Sequence, residues 1–102
     1  MDKTRIVLTS GEILKMEYLE PLNITAYRLA KDIGVSPMLI GNILKGKQGI
    51  SPNIAIKLAL YFGTTPQFWL NIQNFCDLDR LKDIYEKDKK TIMPFNKKAL
   101  VY

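Results

Sequence analysis

Residues 24–46, ITAYRLAKDIGVSPMLIGNILKG, decide the fold of this chain. Two runs with helical spacing of apolar residues flank Gly34, a pattern that predicts two short helices joined by a tight turn. Small or apolar residues occupy the positions where such helices must meet: Ala30, Val35, Ile40 and Ile43. In a helix-turn-helix the first helix holds the second in position to enter a DNA major groove. The stretch therefore predicts a DNA-binding motif over residues 25–46.

Three hydroxyl–proline pairs mark the starts of helices: Ser36-Pro37, Ser51-Pro52 and Thr65-Pro66. The hydroxyl accepts a free backbone N–H at the N-cap, and a proline at the first helical position has no N–H to leave unpaired. Thr25 and Ser10 are expected to cap two further helices without proline. We therefore predict an all-α bundle of five helices, over residues 11–20, 26–33, 37–45, 52–62 and from 66 onward. Because the connections are short, the helices should pack as one domain spanning residues 1–102.

The composition is that of an ordinary folded domain. Hydrophobic residues make up 47% of the 102 residues, which argues against a wholly disordered chain. No apolar run approaches the ~20 residues needed to cross a bilayer. The apolar patch near the N-terminus is too short for the core of a signal peptide. We expect a soluble, cytoplasmic protein without a membrane partner.

The chain contains no histidine and a single cysteine, Cys76. This excludes Ser-His-Asp and Cys-His catalysis, paired-cysteine metal sites and an internal disulfide, and it favours Cys76 as a small core residue. Four carboxylates remain as candidates for catalysis, namely Asp77, Asp79, Asp83 and Glu86. Their spacing, interleaved with basic residues, is typical of an ion-paired helix surface. We predict no enzymatic activity, no catalytic residue, no cofactor and no bound metal.

The net charge of +5 is concentrated around the proposed motif. Residues 21–60 contain five basic residues and one acidic residue, whereas residues 61–86 contain two basic and four acidic residues. Neutralisation of DNA phosphates requires positive charge next to the DNA-binding element. The distribution of charge therefore supports DNA binding more strongly than the net charge does.

If Ile40 and Ile43 anchor the second motif helix to the core, the rest of that helix faces outward. We expect Asn42 to contact a base edge and Met38 a thymine methyl group, with flanking residues on phosphates. The complete predicted DNA-binding set is Thr25, Tyr27, Arg28, Ser36, Pro37, Met38, Leu39, Gly41, Asn42, Lys45, Lys47 and Gln48. Several of these residues form hydrogen bonds poorly, and no arginine lies between residues 29 and 79. An exposed apolar face can also bind a protein, which is the alternative reading of the motif.

The last predicted helix carries two apolar stripes that point in different directions. The first consists of Phe68, Trp69, Ile72, Phe75 and Cys76, and the second of Leu78, Leu81, Ile84 and Tyr85. At 3.6 residues per turn, either the helix bends near Asp77 or it has two apolar faces.

One stripe can complete the bundle, so the other needs a different cover. We predict a homodimer interface formed by Leu78, Leu81 and Tyr85 within the C-terminal region, residues 66–102. The alternative is that the C-terminal tail folds back over the stripe through Phe95 or Leu100. Short extended segments are expected at both ends of the chain, near residues 6–8 and 100–102.

Four segments give the chain a specific family resemblance: GEIL at residues 11–14, LEPL at 19–22, LAKDIGVS at 29–36 and FGTTPQFWLNIQ at 62–73. Over residues 11–78 the chain resembles the HigA antitoxins of the Xre/Cro-like helix-turn-helix group. The resemblance implies a dimeric, five-helix protein that represses its own operon by binding double-stranded operator DNA. It also implies a HigB-type toxin partner, a small RNase that cleaves mRNA. The alternative is a stand-alone Xre-type transcriptional regulator without a toxin partner.

Overall fold

The computed structural model describes residues 8–95, and this part of the chain is entirely helical apart from its connections. The helices are α1 (Ser10–Leu14), which continues as a π-helical segment (Lys15–Leu19), α2 (Ala26–Ile33), α3 (Pro37–Leu44), α4 (Pro52–Phe62), α5 (Pro66–Arg80) and α6 (Lys82–Thr91). The all-α class is confirmed, with six α-helices in the described residues where five were predicted. No helix among residues 8–95 is both long and apolar enough to cross a bilayer.

The first helix begins one residue earlier than predicted, with Thr9 rather than Ser10 as its N-cap. The Thr9 hydroxyl accepts the Glu12 N–H at 3.2 Å, and the Glu12 carboxylate accepts the Thr9 N–H at 3.1 Å. This reciprocal pair is a capping box, which a threonine followed three residues later by a glutamate can form. The hydroxyl of Ser10 is left free for another contact and donates to the side chain of Gln73 on α5.

The second half of the first helix is π-helical, which the sequence pattern did not predict. The Glu20 N–H donates to the Lys15 carbonyl at 2.9 Å, an i to i+5 bond. Leu14 and Leu19, five residues apart, are both buried. Tyr18, between them, lies with its ring centroid 4.9 Å from those of both Phe62 and Trp69. The wider turn therefore directs three large side chains into the interior.

The motif helices α2 and α3 form as predicted. Thr25 and Ser36 cap them, each accepting the N–H of the residue three positions on, at 3.0 and 3.1 Å. Gly34 has φ 77°, the left-handed conformation that closes a helix and that glycine adopts without strain. Ala30, Ile40 and Ile43 are fully buried where the two helices pack against the core.

Helix α4 and the first half of α5 complete the core. Ile54 and Leu58 are buried, while Tyr61 and Phe62 are both half-buried. Trp69 is fully buried and donates its indole N–H to the Thr64 hydroxyl at 2.7 Å. A large aromatic side chain with its one polar atom satisfied stabilises the junction of α1, α4 and α5.

The predicted long fifth helix is broken, and the break lies at Leu81 rather than near Asp77. Helix α5 ends at Arg80, α6 begins at Lys82, and Leu81 between them has φ −98° and ψ 16°. The second apolar stripe is exposed, and so is Phe75 from the first stripe. Phe95 is itself 86% exposed and does not cover the stripe. Leu100 and the predicted extended segments at residues 6–7 and 100–102 lie outside the described residues.

Candidate nucleic-acid interface

The N-terminal end of α3 is the most exposed part of the motif. Ser36, Pro37 and Met38 are all exposed, with Met38 at 75% of its full accessible surface. Pro37 has no N–H and the Leu39 N–H donates to the Ser36 hydroxyl, so the Met38 N–H is the group of this first turn that favours an anion such as phosphate. This end of α3 thus combines a polar edge with a protruding apolar side chain, as the sequence analysis expected.

The middle of α3 is less open than predicted. Leu39 is half-buried and packs against the hydrophobic core, so it is not a fully outward-facing residue. Gly41 and Asn42 are also half-buried. Leu39 was predicted to face outward. It is half-buried because the core-facing side of α3, defined by Ile40 and Ile43, is broad enough to include it, and helical spacing alone does not give the width of that side. Apart from the adjacent residues and the backbone of α3 itself, no described atom lies within 4 Å of where a Cβ on Gly41 would be.

The loop from α3 to α4 carries the basic residues predicted to contact phosphate. Lys45, Lys47 and Gln48 are exposed. The loop is nevertheless ordered by its backbone, because the Lys47 N–H donates to the Asn42 carbonyl at 2.9 Å and Gly46 has φ 77°. A hydrogen-bonded loop presents its lysines in a more restricted set of positions than a free one.

At the start of α2, Thr25, Tyr27 and Arg28 are exposed as predicted. The Arg28 guanidinium lies 2.9 Å from the Asp32 carboxylate, which also accepts the Tyr61 hydroxyl from α4. The hydrogen bond from Tyr61 is the largest influence on the pKa of Asp32 and holds it below its ordinary value. Asp32 thus pairs with Arg28 along α2 and with Tyr61 on α4. Sequence reasoning missed the Tyr61 contact, since the two residues are 29 positions apart.

The predicted dimerisation residues belong to α5, α6 and the residue between these helices. Leu78 is 70% exposed and Tyr85 is 63% exposed, while Leu81 at the break is partly covered. Apolar surface therefore remains uncovered by the other residues of the range 8–95 at Leu78, Leu81 and Ile84.

Two kinds of chemical site were considered among residues 8–95, a metal-ligand cluster and the thiol of Cys76. Residues 8–95 contain no group of three or more potential metal ligands. Cys76 is buried as predicted, and burial is the main reason that the pKa of its thiol is raised. A raised pKa disfavours the thiolate and hence nucleophilic reactivity.

A protein-family model described as "Helix-turn-helix" matches residues 15–69, which span the first helix to the buried Trp69. The match covers α2, α3 and the connections that carry the exposed basic residues. Fold and match together define the class as a DNA-binding helix-turn-helix protein.

Comparison with individual proteins identifies the family within this class. The chain is 42% identical to "Antitoxin HigA-1" of Vibrio cholerae, over 92% of this chain and 90% of the relative. It superposes with a TM-score of 0.80 and 30% identity on the Pseudomonas aeruginosa antitoxin HigA with the higBA promoter, covering 94% of this chain and all of that one. A HigA-family addiction module antidote protein from Coxiella burnetii gives a TM-score of 0.80 at 35% identity, covering 89% and 100% of the two chains. The chain belongs to the HigA antitoxin family, a family of DNA-binding regulators rather than of enzymes.

Proposed function

We propose that the chain is an antitoxin that binds double-stranded operator DNA, represses its own operon and neutralises a HigB-type, mRNA-cleaving toxin. The observation that carries the proposal is the likeness to an antitoxin described together with its own promoter, over nearly the whole of both chains. The exposure of the N-terminal end of α3, and the exposed lysines in the loop that follows α3, add independent support. The proposal places the chain in the cytoplasm, where operator DNA and mRNA are found.

In DNA recognition, different residues of the motif would contact the phosphates and the bases. The Met38 N–H at the start of α3 and the O–H of Ser36, which can donate while its oxygen caps the helix, would bind a phosphate, while the Met38 and Asn42 side chains would face the bases. Lys45 and Lys47 would neutralise flanking phosphates and supply affinity without sequence preference.

Repression would be carried out by a homodimer. A twofold axis places two recognition helices on one side of the dimer, and a palindromic operator then offers half-sites about one helical turn apart. The exposed residues Leu78, Leu81 and Tyr85 provide the apolar surface for that pairing.

The antitoxin role is tested by co-expression of the chain with the product of the neighbouring gene. If that product is the toxin, its expression alone should arrest growth, co-expression should restore growth, and the two proteins should co-purify. A chain that represses its own promoter, while no neighbouring product is toxic or co-purifies, would instead be the stand-alone regulator. A chain that does neither would contradict the whole proposal.

A further inference from the structure

The side chain of Gln73 on α5 connects three parts of the molecule. Its Oε1 atom accepts the Ile50 backbone N–H at 2.7 Å, at the end of the α3–α4 loop. The same atom accepts the Ser10 hydroxyl at the start of α1, and Nε2 donates to the Asp77 carboxylate at 2.9 Å. Asp77 in turn accepts from Arg80 at 3.2 Å.

The loop next to Gln73 is tightly packed as well as hydrogen-bonded. A Cβ atom on Gly49 would lie 2.8 Å from the Gln73 amide nitrogen, closer than real Cβ contacts. At the other end of the loop, a Cβ on Gly46 would lie 3.1 Å from the Thr9 methyl group. Lys47 and Gln48 therefore lie between two glycines that leave no room for a side chain, Gly46 next to the α1 cap and Gly49 next to Gln73.

We propose that Gln73 is a positioning residue for DNA binding, because it fixes the loop that presents Lys47 to the phosphate backbone. This inference rests on the proposed operator binding. Gln73 is half-buried and Lys47 is exposed, although both line the same cavity together with Ser10 and Asp77. Gln73 therefore acts through the loop and does not itself touch DNA.

The mechanism depends on the amide having both an acceptor and a donor. Oε1 orders the loop only while Nε2 is held by Asp77, which prevents the amide from rotating its nitrogen towards the Ile50 N–H. A methionine of similar length would fill the space but would leave the Ile50 N–H without its acceptor. The loop would then sample more positions, and Lys47 would lose an oriented phosphate contact.

The test measures binding of a labelled duplex from the chain's own promoter, over a range of salt concentrations, by fluorescence anisotropy. Gln73→Met should reduce the slope of log K against log salt by about one unit per protomer bound, as expected for one lost phosphate contact. Gln67→Met is the matched control, because Gln67 is exposed on the same helix and, within residues 8–95, its side chain bonds only to Asn71. It should leave the slope unchanged.

Three further variants separate positioning from a general effect on folding. Lys47→Ala should lower the slope by the same amount, and combining it with Gln73→Met should lower it no further. The exchange Gln73→Glu with Asp77→Asn keeps the net charge and the acceptor for Ile50, and it restores a donor from position 77. It should recover the parent slope.

The outcomes are distinct for this inference and for the proposed function. No binding of the promoter duplex by the parent protein would overturn the proposed function itself. Normal binding by the parent with an unchanged slope in Gln73→Met would overturn the role of Gln73. Additive loss in the combined variant, or no recovery in the exchange variant while circular dichroism shows a folded protein, would also overturn it.

Discussion

At the scale of single residues, two glycines in similar helical settings have opposite roles. A Cβ on Gly11 of α1 would lie 1.8 Å from the Ile43 carbonyl oxygen, a backbone atom of α3. Gly11 therefore permits the first helix to touch α3 directly. Gly41, on α3 itself, has no such neighbour.

Gly11→Ala should lower the free energy of unfolding by about 1–3 kcal/mol, since one of the two backbones must move. Gly41→Ala is the matched substitution in open space and should raise it by about 0.5–1 kcal/mol, because alanine loses less backbone entropy in a helix. Urea unfolding followed by circular dichroism measures both. Equal stability of Gly11→Ala and the parent would show that α1 does not approach α3 as closely as described.

At the scale of elements, helix starts were the part of the fold most fully encoded in local sequence. Ser51 and Thr65 cap α4 and α5 at 3.3 and 3.1 Å, as their hydroxyl–proline pairs predicted. Such caps involve residues three positions apart, so a single sequence contains the necessary information. The capping box at Thr9 was also encoded locally, in the spacing to Glu12, and was overlooked because Ser10 offers a similar hydroxyl.

Contacts between elements were not predictable in the same way. Gln73 with Ile50, and Tyr61 with Asp32, join residues 23 and 29 positions apart. The π-helical segment likewise depends on which side chains the neighbouring helices accept. The break at Leu81 lies among exposed residues, and packing does not explain it. In the candidate interface, the outward set was predicted from spacing, whereas the partial burial of Leu39 required the packed core.

The Tyr61–Asp32 bond between α4 and α2 gives a prediction on pH. The folded-state pKa of Asp32 is depressed, so ionised Asp32 stabilises the fold above its unfolded pKa of about 3.9. That contribution is lost as the pH falls through the folded-state value. Tyr61→Phe should move the pKa of Asp32 up towards its ordinary value, as followed by NMR titration of the carboxyl carbon. Arg28→Gln should also raise the pKa of Asp32, because it removes the neighbouring positive charge. An unchanged pKa in Tyr61→Phe would refute the contact.

At the scale of the whole molecule, the exposed stripe predicts assembly. Leu81→Asp should convert a dimer into monomers, because it would bury a charge without a partner in an apolar interface. Leu60→Asp makes the same chemical change on α4, at a position that is 81% exposed, and should leave the dimer intact. Analytical ultracentrifugation at micromolar concentration compares the two. If Leu81→Asp sediments as a dimer, the interface lies elsewhere or the chain covers the stripe itself.

For the whole molecule, we propose that DNA binds on the face formed by α3 and the basic loop after it. Anisotropy titrations of a promoter duplex at several salt concentrations test it most directly, comparing Lys45→Ala/Lys47→Ala with Lys89→Ala/Lys90→Ala. Both pairs remove two exposed lysines, the first at the motif and the second at the end of α6. We expect the magnitude of the slope of log K against log salt to fall by up to about one unit per lysine for the first pair and to stay at the parent value for the second. Equal loss from both pairs, or loss from the α6 pair alone, would contradict it.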